Sequence, residues 1–308
     1  MIQKTYLAFL LSIFALSAQA QEFFPLWTKG KMPNSKGLNF KDSISNERVF
    51  RVATPGFYAY FPSAQENKGA AVLICPGGGY ERLAYVISGT QLAKWFNTMG
   101  ISAFVLNYRL PNSSDLKERE KGPLQDAQRA IKLIRANAAK WGIDSNKVGI
   151  QGSSAGGHLA ALSSTIKDDY SLIGDKLDRI SFRPDFTILV SPVIDLIDFP
   201  HLGSRKNLLG ENATVEKMKD YSPNYRVSAE TPPAFIVHAF NDKSVNVKNS
   251  VLYYSALVDK GISASLHTFP YGGHAIALRN NPGSTDQWTA LCESWLMEMN
   301  FVKNLTRP

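Results

Sequence analysis

Short apolar runs alternate along this chain with longer segments in which apolar residues recur at helical spacing. The run at 70–75 is apolar throughout, which predicts a central strand buried on both faces. Further short runs predict strands at 102–107, 148–150, 186–190, 234–239 and 263–269. Helices are predicted at 90–99, 123–140 and 285–299. Strands separated by helix-length segments favour right-handed crossovers, and therefore an α/β fold with a mostly parallel sheet flanked by helices.

Two stretches depart from this alternation. Residues 21–46 are polar, with scattered proline and glycine, and they predict an irregular lead-in. Two strands at 48–53 and 57–61 follow, and a Pro55-Gly56 turn would join them as a hairpin. Residues 195–231 are polar and mixed, and an insertion of this kind in an α/β fold usually overhangs the functional site. We therefore predict one domain over 21–308, with a small cap at roughly 195–231.

The first 20 residues have the pattern of a cleaved signal peptide. Lys4 gives a short positive region, residues 7–16 are apolar, and Ala18-Gln19-Ala20 has the A-x-A cleavage pattern. A membrane anchor is the alternative, but the apolar run is too short for a comfortable span. No later run is long enough to cross a bilayer. We expect an exported protein, periplasmic or secreted, that begins near Gln21 and is not stably inserted in a membrane.

Charge and cysteine content narrow the possible partners. The net charge is +8, but the basic residues are dispersed and form no arginine-rich block. This pattern is typical of a solvated basic surface and does not indicate nucleic-acid binding. Cys75 would end an apolar strand and Cys292 would lie in the last helix, so we expect two buried free thiols. No C-x-x-C or His/Cys cluster indicates a metal site, and none is expected.

The segment 147–164, KVGIQGSSAGGHLAALSS, carries the main chemical signal. An apolar strand leads into Gly152-Ser153-Ser154-Ala155-Gly156, which fits G-x-S-x-G, and small helix-compatible residues follow. In a nucleophile elbow this turn lifts the central serine off the strand end, and the next helix directs its positive N-terminus at the site. We predict Ser154 as a nucleophile. On its own the motif could also be a plain Gly/Ser turn.

A glycine run after the predicted strand at 70–75 is the second signal. Pro76-Gly77-Gly78-Gly79-Tyr80 lets the backbone approach a ligand with its N–H groups free. We predict that Gly78, Gly79 and Ala155 donate these N–H groups to an oxyanion. A phosphate loop is excluded because no G-K-[ST] follows, and a flexible turn is the simpler alternative. Tyr80 could stack against a substrate or serve only in packing.

A serine nucleophile needs a base beside it and a carboxylate that orients the base. Asp242 follows the predicted strand at 234–239, and His274 lies on a glycine-flanked loop after the strand at 263–269. The order Ser, Asp, His along the chain is that of the α/β-hydrolases. Asp195 is the rival acid, since it also follows a strand. The other four histidines lie in predicted helix, cap or strands, where a packing role is more common: His158, His201, His238 and His267.

Together these motifs resemble an α/β-hydrolase of the esterase/lipase type. More narrowly, the PGGGY loop, the LNYRL strand at 106–110 and the GSSAGGHLA elbow resemble exported bacterial carbohydrate esterases of the acetylxylan esterase group. The resemblance covers roughly 68–300. It implies a metal- and cofactor-independent serine esterase that removes acetyl groups from a plant polysaccharide such as acetylated xylan, or acts on a small ester. In the H-G-G-G loop of lipases the first residue is histidine, and Pro76 stands there in this chain.

Three alternatives remain open at this point. A prolyl-oligopeptidase-like serine peptidase shares the fold and the triad order, but the chain has no room for a propeller domain. A non-catalytic binding module on the same fold usually lacks a triad residue, and here all three are present. A lipase-like esterase would need a long apolar stretch in its lid, whereas the predicted cap is rich in charged and polar residues. We therefore expect a short acyl pocket and a polar side for the alcohol.

Overall fold

The computed structural model of this chain describes residues 21–274 and 276–302. The predicted signal peptide, 1–20, lies outside the described residues. The described residues contain ten strands: β1 Phe23–Pro25, β2 Ser43–Ser45, β3 Arg48–Arg51, β4 Gly56–Tyr60, β5 Ala71–Cys75, β6 Ser102–Asn107, β7 Val148–Ser153, β8 Thr187–Val190, β9 Ala234–Ala239 and β10 Ala264–Phe269. Seven α-helices accompany them in the same described part: α1 Gln91–Thr98, α2 Lys121–Ala136, α3 Ala155–Thr165, α4 Leu202–Leu209, α5 Val215–Asp220, α6 Lys248–Asp259 and α7 Trp288–Glu298.

Shorter helical turns fill several connections. A π-helical turn, Val86–Thr90, leads directly into α1. Turns of 3-10 helix lie at Lys176–Arg179, Pro223–Tyr225 and Gly283–Gln287.

Eight of the strands form one sheet in the spatial order β1-β4-β6-β5-β7-β8-β9-β10. All neighbouring strands from β6 to β10 in this order are parallel. At the other edge, β4 is antiparallel to both of its neighbours, β1 and β6. The predicted α/β fold with a mostly parallel sheet is therefore confirmed. The strand β5, predicted as central from its apolar sequence, is fully buried and pairs with β6 and β7.

The start of the chain differs from the prediction. The predicted irregular lead-in contains two short strands, β1 and β2. The predicted hairpin between β3 and β4 is wrong, because β3 pairs with β2 in a separate two-stranded sheet. The hydrogen bonds of β4 are taken by β1 on one side and β6 on the other, so β3 has no free strand edge to join there.

Helices cover both faces of the sheet and pack apolar side chains against it. Side chains of α2, α3 and α6 pack on one face with alternate residues of β5, such as Leu73. Residues of α1 and α7, among them Phe96 and Trp295, pack on the other face with Ile74. The alternation along β5 confirms that this strand is buried on both sides.

A buried ion pair fixes α2 to the strand ends. Arg109 is 2% exposed and Asp126 is fully buried, and their side chains are 2.8 Å apart. Asp126 also accepts a hydrogen bond from Trp27 Nε1 at 2.8 Å, which ties the N-terminal segment to α2. Removing one partner of such a pair would leave the other charge buried and unpaired, at a cost of about 3–5 kcal/mol.

Both cysteines are free and buried, as predicted. Burial raises the pKa of the Cys75 and Cys292 thiols well above the ordinary cysteine value. In residues 21–274 and 276–302, no helix combines the length and the apolar character needed to span a membrane.

The start of α3 lies against the end of β5 with no room for a side chain. A Cβ on Gly156 would overlap the carbonyl oxygen of Cys75 and lie 2.6 Å from that of Pro76. Both obstacles are backbone atoms, so they can yield only if the strand end itself moves.

We expect Gly156→Ala to destabilise the fold by about 3 kcal/mol or more. The cost of overpacking is high here because backbone atoms cannot move aside as side chains do. Gly174→Ala is the matched control, since Gly174 has a φ of 78° but open space around it. That control should lose about 1–2 kcal/mol from the left-handed backbone alone. Thermal unfolding of both variants checks the prediction, and equal melting temperatures would contradict it.

Candidate active site

Ser154 lies in the turn between β7 and α3, with a backbone conformation that side chains rarely adopt. Its φ is 56° and its ψ is −122°. The turn is held on both sides: the Ser154 N–H donates to Val190 O at 3.0 Å, and the Ser154 carbonyl accepts from Val193 N at 3.1 Å. A strained conformation that the surroundings hold in place is typical of functional sites. The structure thus has the strand-turn-helix context predicted from G-x-S-x-G.

The structure brings the three predicted catalytic residues into one hydrogen-bonded chain. His274 Nε2 lies 2.8 Å from Ser154 Oγ, and His274 Nδ1 lies 2.7 Å from Asp242 Oδ2. Asp242 can only accept when ionised, so Nδ1 carries the proton and Nε2 is left as the acceptor for the serine hydroxyl. This is the arrangement in which a histidine can take the proton of a serine that attacks a carbonyl carbon.

Asp242 is buried but well supplied with donors. Its Oδ1 accepts from Ser244 N at 2.8 Å and Val245 N at 2.9 Å, and its Oδ2 accepts from two histidines. Burial by itself would raise the pKa of Asp242, but the hydrogen bonds from His238, His274 and the backbone outweigh it. They hold the pKa of Asp242 well below its ordinary value, and the carboxylate stays ionised.

The loop that carries His274 is fixed to the loop that carries Asp242. Asn241, next to Asp242, accepts a hydrogen bond from Gly273 N at 2.8 Å. Gly273 has a φ of 60°, and Gly272 has a φ of 147° with little space around it. These glycines allow the turn that brings His274 back over the sheet towards Ser154.

The glycine loop after β5 supplies unpaired N–H groups beside Ser154. Gly78 and Gly79 have φ values of 132° and 67°, and within the described part of the chain neither N–H has a hydrogen-bond acceptor. Ala155 is the first residue of α3, where N–H groups have no partner within the helix. The three predicted oxyanion donors therefore lie on the two segments that border Ser154, and the contact of Gly156 with Pro76 joins these segments.

Hydrogen bonds support the glycine loop, although Pro76 stands at its first position. The Tyr108 hydroxyl donates to Pro76 O at 2.8 Å, and the Ser88 hydroxyl accepts from Gly77 N at 3.0 Å. Gly78 O accepts from the backbone N–H of Glu81 and Arg82 at 3.1 and 3.2 Å. Other groups thus take the place of the histidine that supports the corresponding loop in lipases.

Tyr80 does not face the cavity, and the predicted contact with a substrate is wrong. Its side chain is 1% exposed, and its hydroxyl lies 2.8 Å from His158 Nδ1. Tyr80 has a φ of 59°, which turns the ring from the loop into the core. Tyr80 is therefore a packing residue. His158 is also a packing residue, because it is fully buried and donates from Nε2 to Tyr221 O at 2.7 Å.

Asp195, the alternative candidate for the acid, has a structural role. Its side chain is buried and accepts the backbone N–H groups of residues 197, 198 and 199, so it closes the loop after β8. Within the described residues it makes no hydrogen bond to His274. The geometry therefore favours Asp242 as the orienting carboxylate.

Two histidines that looked structural in the sequence lie at the site. His238, at the end of β9, contacts Asp242 Oδ2 through Nε2 at 3.2 Å and Ser250 Oγ through Nδ1 at 2.8 Å. Its Nε2 also lies 3.0 Å from Val245 O, so Nε2 must carry the proton and donate. Asp242 reaches His238 because the chain turns directly after β9, where Asp242 N donates to Ala239 O at 3.2 Å. His201, in the cap, borders the cavity, and no local sequence pattern indicates this.

A cavity of about 480 Å³ opens at Ser154 and His274. The predicted cap reaches it. The cavity is lined by Gly203 and Asn207 of α4 and by His201, the residue before α4, and Asn207 Nδ2 donates to Gly79 O at 2.8 Å. Six larger apolar side chains from elsewhere also line it: Ile87, Leu92, Val190, Ile276, Leu278 and Trp288. Further polar lining comes from Arg48, Glu81, Arg82 and Ser244. The cavity thus has both an apolar and a polar lining.

Over residues 21–274 and 276–302, no group of three His, Cys, Asp or Glu side chains is arranged to hold a metal ion. The groups that gather at the cavity are instead the donors and acceptors of acyl transfer.

Comparison with protein families gives an assignment that agrees with this geometry. The model of the BD-FAE family matches residues 58–257, about two thirds of the chain. The chain belongs to the BD-FAE family. Its match spans β4 to α6 and includes the glycine loop, the serine turn, the cap and Asp242.

Solved structures place this BD-FAE member among α/β-hydrolase esterases. The acetyl ester-xyloside bifunctional hydrolase of Caldicellulosiruptor lactoaceticus is 36% identical, with a TM-score of 0.79 and 92% of this chain and 97% of that one covered. The carboxylesterase Cest-2923 of Lactobacillus plantarum is 23% identical with a TM-score of 0.68, covering 87% and 100%, and it supports the fold alone. The predicted enzyme class, a serine esterase of the α/β-hydrolase fold, is confirmed.

One of the curated relatives is an acetylxylan esterase of Xylanibacter ruminicola, 33% identical over 79% of this chain and 47% of that protein. Another is endo-1,4-beta-xylanase B of Butyrivibrio fibrisolvens, 34% identical over 81% of this chain and 40% of that protein. The chain therefore spans less than half the length of these two proteins.

The lowered pKa of Asp242 predicts how stability changes with pH. The unfolded carboxyl takes up a proton near pH 3.9, whereas the folded one does so only at a lower pH. Its contribution to stability is therefore present above about pH 4 and is lost as the pH falls through the folded pKa. We expect Asp242→Asn to lower the free energy of unfolding at pH 5 by about 2 kcal/mol or more, because charge-assisted hydrogen bonds are lost.

Urea unfolding at a series of pH values measures this difference, which should narrow below about pH 4. Asp259→Asn is the control, because Asp259 is an exposed carboxyl at the end of α6. A gap between Asp242→Asn and wild type that widens as the pH falls below about 4 would contradict the assignment.

Proposed function

We propose that this protein is an exported esterase that removes acetyl groups from a plant polysaccharide such as acetylated xylan. The observation that carries the proposal is the hydrogen-bonded chain Ser154, His274 and Asp242, which opens into a cavity beside the unpaired N–H groups of Gly78 and Gly79. Export is proposed from the signal-peptide pattern of residues 1–20. The substrate is proposed from the relatives that are named for acetyl esters of xylan or xylosides.

The reaction follows from the positions of these groups. Ser154 Oγ attacks the ester carbonyl carbon while His274 Nε2 takes the hydroxyl proton. The negative oxygen that forms accepts hydrogen bonds from the N–H groups of Gly78, Gly79 and Ala155, and each donor contributes about 3 kcal/mol. His274 then protonates the leaving alcohol, and the acetyl group stays on Ser154. A water molecule, activated by His274, attacks this acyl-enzyme and releases acetate.

Asp242 keeps the imidazole oriented through both halves of the reaction. Its negative charge stabilises the imidazolium that forms when His274 holds the serine proton. His238 and the backbone donors of residues 244 and 245 fix the carboxylate from behind, so the charge is in place before the substrate arrives. This preorganisation is how a buried carboxylate assists catalysis without moving.

The cap supports a polar alcohol. The cap residues at the cavity are His201, Gly203 and Asn207, and none of them presents an apolar side chain that could receive a lipid. This observation favours a sugar ester over the lipase-like alternative. A prolyl-oligopeptidase-like peptidase is disfavoured because the hydrolase of Caldicellulosiruptor lactoaceticus, which covers 92% of this chain, is named for acetyl esters.

We expect Ser154→Ala to reduce kcat for p-nitrophenyl acetate by about 10⁴-fold or more while the protein stays folded. The matched control is Ser153→Ala, which removes the neighbouring hydroxyl from the same turn and should keep most of the activity. Circular dichroism verifies the fold of both variants. Near wild-type turnover in Ser154→Ala, with turnover lost in Ser153→Ala, would assign the nucleophile to Ser153.

A second test concerns the substrate. We expect the protein to release acetate from acetylated xylan, and kcat/KM on p-nitrophenyl esters to peak at acetate or propionate. Each added CH₂ gains about 0.8 kcal/mol only where an apolar channel receives it. Acetate release and the ester series from acetate to decanoate are measured on the same preparation. A peak at octanoate or longer, without acetate from the polymer, would favour a lipase-like esterase.

A further inference from the structure

His201 lies directly beside the proposed catalytic groups, although the reaction outlined above does not use it. It is the residue that precedes α4 in the cap, and it lines the same cavity as Ser154 and His274. Its Cε1 atom is 3.9 Å from the position that a Cβ on Gly79 would occupy. The ring therefore borders the space above the glycine loop, where the substrate must lie during acyl transfer.

The protein fixes which nitrogen of His201 carries the proton. The backbone N–H of Ser204 donates to His201 Nδ1 at 3.1 Å, so Nδ1 must be an acceptor. Burial, together with the nearby His274, lowers the pKa of His201, so the ring is neutral near pH 7. In a neutral ring with Nδ1 as acceptor, the proton is on Nε2.

The Nε2–H group of His201 is thus a hydrogen-bond donor without a protein partner. In residues 21–274 and 276–302 no oxygen accepts from it, whereas Nδ1 is engaged by the backbone N–H and the hydroxyl of Ser204. A half-buried donor at the edge of a ligand cavity is a group that a ligand can satisfy. The partner it fits is a neutral oxygen acceptor.

The side chains that line the cavity are of two kinds, apolar and polar. The six larger apolar side chains suit an acyl group, whereas His201 and Asn207 come from the polar cap. Asn207 is already engaged, because its Nδ2 donates to Gly79 O at 2.8 Å. Within the described residues, His201 is therefore a cap side chain whose donor is left for the alcohol half of the ester.

We propose that His201 Nε2–H donates a hydrogen bond to a hydroxyl or ring oxygen of the sugar that carries the acetyl ester. This inference rests on the proposed function, since it names the contact that selects a sugar alcohol at the same site. A simple aryl acetate has no such oxygen, so its hydrolysis does not depend on His201.

The experiment compares two substrates, acetylated xylobiose and p-nitrophenyl acetate. We expect His201→Ala to lower kcat/KM for acetylated xylobiose by about tenfold, as for the loss of one hydrogen bond, and to change the value for p-nitrophenyl acetate by less than about twofold. His201→Gln keeps an N–H donor on a side chain of similar reach and should recover part of the loss. His267→Ala is the matched control, because His267 lies in β10 and is not part of the cavity lining.

The outcomes separate the two proposals. Suppose that the wild-type enzyme deacetylates acetylated xylobiose, and that His201→Ala lowers kcat/KM equally for both substrates or for neither. This result would overturn the role of His201 and leave the proposed function standing. A wild-type enzyme that cleaves p-nitrophenyl acetate but releases no acetate from the sugar would overturn the proposed function, and the sugar contact of His201 with it. Thermal unfolding of each variant shows whether a loss arises from misfolding.

Discussion

The close contact between Gly156 and the carbonyl oxygens of Cys75 and Pro76 is the constraint on which the site depends. It sets how near the N-terminus of α3 can come to the end of β5. Because β5 and β7 are neighbours in the sheet, the same contact brings the turn at Ser154 beside the glycine loop. The N–H groups on both segments can then converge on one point, which separate loops without this contact would not do.

A second constraint is the buried charge of Asp242. An ionised carboxylate in the core is costly unless donors surround it. Here the backbone of residues 244 and 245, His274 and His238 all donate to it, and His238 is in turn bonded to Ser250 in α6. The hydrogen-bonded chain thus runs from Ser154 at the cavity to α6 behind the sheet. The end at α6 thus holds Asp242 in place, and Asp242 in turn holds His274 beside Ser154.

Much of this arrangement could be predicted from the sequence, because it follows from local rules. The strands from β5 to β10 appear as short apolar runs, and parallel strands end at the same edge of a sheet. Residues just past their ends, such as Ser154, Asp242 and His274, therefore meet there. The features that could not be predicted depend on tertiary contacts. His201 comes to the cavity only through the way the cap folds back, and Tyr80 turns inward because of a backbone φ that no sequence pattern indicates. The pairing of β3 with β2 depends on β4 being occupied on both edges.

The burial of both cysteines has a practical consequence for the study of this enzyme. Cys75 and Cys292 are the whole cysteine content of the chain, both are fully buried, and their thiols are kept protonated by apolar surroundings. Alkylating reagents act on the thiolate, so the native protein is inert to them. A cysteine introduced at exposed Leu202, next to His201, would then be the reactive thiol of the folded molecule. A fluorophore attached there would report the arrival of a ligand at the cap without any change to the existing cysteines.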